Sequence, residues 1–338
     1  MTIESRREFV QSVAVGASAM GTFMNQALGQ PTRKSRIETV TGAIRPKQLG
    51  RTLVHEHIMV DFIGADQVSP SRYDAEEVFQ VMLPYLKTLR AQGVKSFIDC
   101  TPSFLGRDVK ILRRLSKATG LQMVTNTGLY KEPYLPAYAF EQSIDELARQ
   151  WIREMEEGIE GTGIRAGFIK IAVHREDLKP MQQKIVRTAC RTHRATGAAI
   201  ACHSGHGPAM MQILDILREE KTPAGAFIAV HAGSEKDMGY HQRLAQAGAW
   251  LEYDHIGSNP AGEPIRLIKT MLEKDFGDRL LLSMDRGWYR IGEPRGGKVK
   301  PYDYFYGEFV PEMKKAGISD AVIRQLTVEN PAKAFTLI

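Results

Sequence analysis

Thr52-Leu53-Val54-His55-Glu56-His57-Ile58-Met59-Val60 is a run of apolar and β-branched residues interrupted by three titratable groups. A strand with one wet face alternates apolar and polar residues. A run that is apolar throughout is covered on both faces, as in a parallel sheet. Residues i and i+2 of a strand project to the same side, so His55 and His57 point together. Similar runs recur at 94–100, 122–129, 166–173, 198–203, 226–231, 249–255 and 280–285. Between them lie helical patterns. Residues 74–92 space apolar side chains at Val78, Met82, Tyr85, Leu86 and Leu89, and the stretches 108–120 and 181–197 both end in Gly. Strand–helix alternation repeated eight times predicts an α/β fold of the (β/α)8 barrel type, with a doubly wound open sheet as the second choice. No internal repeat and no low-complexity linker marks a second domain, so residues 37–338 are expected to form one barrel, with 37–49 as a small strand pair capping it.

The chain has 338 residues, 43% apolar and 25% charged, which excludes disordered, collagen-like and coiled-coil classes. Its formal charge is +6, but 45 Lys and Arg are interleaved with 39 Asp and Glu and form no long basic run. Nucleic acid is therefore not the expected partner. Three cysteines cannot all pair; Cys100, Cys190 and Cys202 sit in apolar context and read as buried thiols. At the N-terminus Arg6-Arg7 precede a weakly apolar stretch too polar to remain as a membrane span, with small residues before Gln30. Residues 1–29 are expected to be a twin-arginine export signal, and 30–36 a linker, placing the mature protein in a bacterial periplasm after passage through the export machinery. No other run is long enough for an integral membrane span.

Barrel chemistry belongs at the C-terminal strand ends. There the sequence places His55 and His57 in the first strand, Lys170 in the fourth, His203 ending the fifth, His231 the sixth and Asp285 the eighth. One buried His is usually a core residue with a satisfied hydrogen bond. Four of them with a Lys and an Asp, all at strand ends, point to metal ligation. Lys170 in an apolar strand needs a carboxylate partner or must lose its charge. A neutral lysine amine can take up carbon dioxide as a carbamate, an anionic oxygen ligand able to bridge two metals.

The ordered set His55-Glu56-His57, Lys170, His203, His231 and Asp285 resembles the phosphotriesterase family of the amidohydrolase superfamily. Further similar stretches are Leu53-Val-His-Glu-His57, Gly106-Arg-Asp-Val109, Gly128-Leu-Tyr130, the run from Gly158 to Lys170, and Asn330-Pro-Ala-Lys-Ala-Phe335. The resemblance implies two divalent ions, with zinc the default and manganese, cobalt or iron as alternatives. His55, His57 and Asp285 would hold the more buried ion, and His203 and His231 the more exposed one. Carbamylated Lys170 and a hydroxide would bridge them. Asp285 would accept the hydroxide proton and His255 would pass it outward. A homodimer is also what the resemblance suggests.

Departures from the family pattern shape the functional expectation. His231 is followed by Ala232-Gly233-Ser234, with Glu235 one position later, where the organophosphate hydrolases of the family carry an acidic stretch. Residues 257–278 leave room for little beyond one helix, so the long lid of those enzymes is expected to be missing. Tyr130, Trp288 and Tyr289 would then supply much of the wall around a small-molecule substrate, while His174, His206 and His241 read as surface residues. The leading expectation is a metal-dependent hydrolase of a small lactone, carboxylic ester or amide, with weak activity on organophosphate triesters. The alternatives are a true phosphotriesterase (aryldialkylphosphatase) and an exported metal-binding protein without turnover.

Overall fold

The computed structural model describes residues 35–258 and 260–338 of the protein. The export signal expected over 1–29 and most of the linker lie outside the described residues. Eight strands alternate with helices: β1 Thr52–Val60, β2 Ser96–Asp99, β3 in two pieces (Gln122–Val124 and Asn126–Thr127), β4 Phe168–Ala172, β5 Ile200–His203, β6 Phe227–Val230, β7 Trp250–Tyr253 and β8 Leu280–Leu282. Each pairs in parallel with the next, from β1 with β2 through to β7 with β8. The ring closes between β8 and β1, where the Asp285 amide donates to the His55 carbonyl at 3.1 Å and the His57 amide to the Arg286 carbonyl at 2.9 Å. The fold is a (β/α)8 barrel, and these closing bonds exclude the open sheet.

The helices begin and end where local chemistry requires. Helix α1 (Ala75–Ala91) is capped by Asp74, whose carboxylate accepts from the amides of Glu76 and Glu77, and α2 (Val109–Thr119) is capped likewise by Asp108. Such a cap contributes about 1 kcal/mol. Helix α1 buries Val78, Met82, Leu86 and Leu89, one stripe of an amphipathic helix. The outer layer continues with α3 (Ile144–Glu156), α4 (Pro180–Thr196), α5 (Gly207–Glu219), α6 (Met238–Gln246) and α7 (Gly262–Leu272). A C-terminal helical stretch between Phe305 and Ala334 stands in the eighth position. No helix among the described residues is long and apolar enough to cross a membrane. Cys100, Cys190 and Cys202 are buried free thiols.

The N-terminal end of the barrel is plugged. Ile37–Thr39 pairs antiparallel with Gly42–Ile44, the strand pair expected there. Ile37 and Leu49 pack with Val54, Ile98, Val124, Phe168, Ile228, Leu281 and Phe335 in one fully buried cluster. Val54 belongs to this interior layer, yet His55 and His57 also face the interior. Strict alternation forbids both. The register of β1 on β2 reconciles them, because Leu53 pairs with Phe97 but Glu56 with Asp99, so β1 holds one extra residue. This bulge turns the two imidazoles inward one residue after an apolar plug.

Candidate metal centre

At the opposite end the imidazoles converge. His203 Nδ1 faces His231 Nε2 at 2.8 Å, and His57 Nε2 lies 3.1 Å from Asp285 Oδ1. His55 Nε2 is 3.9 Å from the same carboxylate oxygen and 3.4 Å from Lys170 Nζ. His55, His57 and Asp285 bring three donor atoms within 4.8 Å of one another, and so do His231, His255 and Asp285. The structure thus brings together all six residues expected as ligands.

Three of the imidazoles have their other ring nitrogen engaged by a protein oxygen. His55 Nδ1 meets Glu252 Oε1 at 2.5 Å and Asp254 Oδ2 at 3.2 Å, His57 Nδ1 meets Thr101 Oγ1 at 2.8 Å, and His231 Nδ1 meets Asp254 Oδ1 at 2.8 Å. The Thr101 hydroxyl donates onward to the Met59 carbonyl, so it accepts from His57. A proton held on each outer nitrogen leaves a lone pair on the inner one, which is how proteins orient metal-binding histidines. His55, His231 and Asp254 also lie close enough to form a ligand trio, but both Asp254 oxygens are already committed to the outer nitrogens and to the His231 amide. Asp254 is a support here.

Electrostatics favour the ligating forms. Burial, followed by the neighbouring Lys170, lowers His55 to about 3, and burial with the facing His231 holds His203 well below its ordinary value. Both are neutral near pH 7. Burial alone would raise Asp285 and Asp254, yet the adjacent imidazoles hold both well below the usual carboxylate range. Glu252 is pushed the other way by burial and by Asp254 beside it. Burial also raises Glu56, to about 8. Its carboxyl accepts from the Ser283 hydroxyl and the Met284 and Arg286 amides, tying β1 to the chain that carries Asp285.

Lys170 is 2% exposed, and no described carboxylate lies within ion-pair distance of its Nζ. The site therefore holds no buried Lys170–Asp285 ion pair. A buried amine that meets an imidazole and no carboxylate fits the donor set of a metal centre. His255 stacks on His231 with ring centroids 4.8 Å apart, its Nε2 3.9 Å from Asp285 Oδ2. Its Nδ1 meets Ser234 Oγ at 3.1 Å. Glu235 turns elsewhere, accepting from the amides of Gly207, Lys236 and Asp237.

Aromatic side chains border the cluster. The ring of Tyr130 lies 5.2 Å from that of His203, and Trp288 sits 5.4 Å from His57 with Phe62 stacked on it at 5.5 Å. Trp288 and Asp285 both adopt positive φ, at 67° and 53°. The turn between them works because Gly287 lacks a side chain, whose Cβ would lie 1.9 Å from the His57 carbonyl oxygen. Tyr289, expected in the pocket wall, is not there. It follows Trp288 in the strand Gly287–Arg290, so it points the opposite way, and its hydroxyl donates to Glu77 of α1. His241 is a second correction. It is buried on the face of α6 turned to β7, accepting from the Tyr253 hydroxyl at 2.7 Å and donating to the Glu235 carbonyl. His174 and His206 are half-buried. The supports Thr101, Glu252 and Asp254 and the wall residue Phe62 were missed. Glu252 and Asp254 carried a signal, being two carboxylates at i and i+2 in an otherwise apolar strand end.

Comparison with known proteins agrees with this geometry. The model of the phosphotriesterase family matches residues 35–335. The chain is 29% identical to an aryldialkylphosphatase of Saccharolobus solfataricus, over 87% of this chain and 97% of the relative. It is 25% identical to an N-acetyltaurine hydrolase of Mus musculus, covering 89% and 98%. Among solved structures, a mutant of a PTE-like lactonase from Deinococcus radiodurans superposes with a TM-score of 0.80 at 31% identity, covering 88% of this chain and 99% of that one. The match runs the length of the barrel, and histidine and aspartate side chains stand positioned for metal ions at its mouth; the chain belongs to the phosphotriesterase family and is a metal-dependent hydrolase.

Proposed function

We propose that the protein hydrolyses a small carbonyl substrate, a lactone, carboxylic ester or amide, in preference to an organophosphate triester. The lining of the cavity around the imidazoles carries this reading. Its walls come from Phe62, from Cys100, Pro102 and Leu105, from Tyr130 and from Trp288, and from no described residue between Gly257 and Asp278. A triester at tetrahedral phosphorus needs walls for two alkoxy groups and a leaving group, and missing walls forfeit the positioning that binding energy supplies. A planar carbonyl needs less, and the two aromatic faces suffice to hold it. The names of the lactonase and the N-acetyltaurine hydrolase among the relatives support the carbonyl reading, and that of the aryldialkylphosphatase supports the triester one.

His55, His57 and Asp285 would hold one ion and His203 and His231 a second, with Lys170 between. Zinc matches imidazole and oxygen donors, and manganese, cobalt and iron share that preference. When bound, the ions supply a nucleophile derived from water and polarise the substrate oxygen. Asp285 takes the proton released on attack. His255, 39% exposed, carries it toward solvent, and the Ser234 hydroxyl orients its ring. The Lys170 amine adds to carbon dioxide, forming an N–C bond and releasing a proton, and so becomes an anionic oxygen donor. Lys170→Ala should be nearly inactive and partly rescued by acetate or formate; full activity in that variant would remove the carbamate from the reading.

The deciding experiment compares kcat/KM for lactones, esters, amides and a paraoxon-like triester on one zinc- or manganese-loaded preparation. The best carbonyl substrate should lead by at least about a hundredfold, roughly 2.7 kcal/mol of transition-state preference. A triester that outruns every carbonyl substrate would reverse the assignment.

A further inference from the structure

A larger cavity, of about 870 Å³, lies away from the metal centre. Its walls are built at the N-terminal end of the barrel, from the residues just before β1 and β2, the C-terminal end of α1 and the C-terminal helical stretch. The hydrolytic reading gives it no role, yet its volume is that of a small-molecule site.

Five cations line it against a single carboxylate, Asp320. Lys314 pairs with Asp320 at 2.6 Å and Arg324 with Glu329 at 3.0 Å. Lys47, Arg51 and Lys95 pair with no carboxylate among the described residues. Two of these three rest on glycine. A Cβ on Gly50 would lie 2.8 Å from Lys95 Cγ, and one on Gly93 would lie 3.3 Å from Arg51 Nη1. The Arg51 guanidinium also sits 5.8 Å from the centre of the Tyr306 ring. Beside it Gln92 donates through its amide nitrogen to the Asp303 carbonyl, while its Oε1 is buried without a partner.

The backbone supplies an independent observation. The π-helix is rare and concentrates at functional sites. Two π-helical turns occur among the described residues, Phe305–Phe309 and Gln325–Glu329. Both border this cavity, the first through Tyr306 and the second through Thr327 and Val328. Val310, Pro311 and Ile323 complete an apolar wall.

We propose that this cavity is a second ligand site, for a small organic phosphate. The phosphate lies among Lys47, Arg51 and Lys95, the organic body lies on Tyr306 and the apolar wall, and the Gln92 side chain turns its Oε1 to accept from a ligand hydroxyl or amine. Cations favour phosphate through charge-assisted hydrogen bonds, and the aromatic face and the lone acceptor ask for more than a bare ion.

Calorimetric titration of the full-length protein with two probes, inorganic pyrophosphate and AMP, tests the site. Phosphates also approach metal centres, so His203→Ala is titrated alongside. Both probes should bind the His203→Ala protein as they bind the wild type. Arg51→Ala with Lys95→Ala should weaken both by at least about tenfold, and Gln92→Leu should weaken AMP alone. Arg51 and Lys95 are exposed and Gln92 is half-buried, and an unchanged melting temperature shows that the variants fold. Should the double variant melt early, Lys47→Ala replaces it with the same expectation. Three outcomes overturn the proposal: no binding of either probe at millimolar concentration, binding that survives loss of the cations, or binding that disappears with His203→Ala.

Discussion

The two ends of the barrel are built by the same strands to opposite rules. At the N-terminal end Val54, Ile98, Val124, Phe168, Ile228 and Leu281 fill the interior with hydrocarbon, and Phe335 packs edge-on to Phe168 at 5.3 Å. At the C-terminal end the same strands, or the residues that follow them, carry His55, His57, Lys170, His203, His231 and Asp285. From Phe168 to Lys170 is one step of two residues along the same face of β4, and it takes the interior from hydrocarbon to a ligand. The apolar end is stabilised by burial alone, and its side chains need no specific partner. The polar end needs specific partners: Glu252, Asp254 and Thr101 hold the outer nitrogens of the imidazoles, and Glu56 ties β1 to the Ser283 hydroxyl. The inner nitrogens, the Lys170 amine and the Asp285 carboxylate then face one another, which is the donor set a metal ion requires. The apolar end supports an end whose donor groups converge on one point.

The contrast can be broken first at the ligands. Elemental analysis of the zinc-loaded protein should find about two ions per chain, following the two-metal logic of such sites. His57→Ala or His203→Ala should lower that figure and reduce kcat/KM by at least about a thousandfold, roughly 4 kcal/mol. A stoichiometry near zero in the intact protein would contradict the site altogether. Next in size is the plug. Phe168→Ala should cost about 3–5 kcal/mol of stability in denaturant unfolding. Metal content per folded molecule should be unchanged, since only Lys170 of that strand faces the site. Loss of metal without loss of stability would show that the two ends are not separable. The smallest effect sharpens the boundary at the rim. Trp288→Ala should raise KM about tenfold by removing a pocket wall. Tyr289→Phe should leave KM unchanged while costing about 1 kcal/mol of stability through the lost hydrogen bond to Glu77. Equal effects on KM would return Tyr289 to the pocket.

Much of this was legible from residue order. Eight apolar runs separated by amphipathic stretches specify a barrel because burial on both faces and burial of one stripe leave different periods in the chain. Asp74, Asp108 and Gly120 announce their helix boundaries because capping acts within three residues. The six ligand positions stand out because charged and imidazole groups are costly in apolar strands unless something binds them.

Other features were decided only when strands met. The single-residue bulge in β1 depends on its pairing with β2, and without it Val54 and His55 could not both face the interior. Tyr289 and Trp288 are adjacent aromatics of equal promise in sequence. The course of Gly287–Arg290 beside β1 sends one to the site and the other to α1. His241 reads as a surface residue until α6 is laid on β7 and Tyr253 meets it. Ser234, not Glu235, faces His255 because Glu235 turns to the start of α5. Residue order sets the periodicities, the caps and the placing of ligands at strand ends, since these depend on neighbours a few residues apart. Tertiary structure decided register, the facing of each side chain and the partner of each buried proton, because those depend on residues far along the chain that folding alone brings into contact.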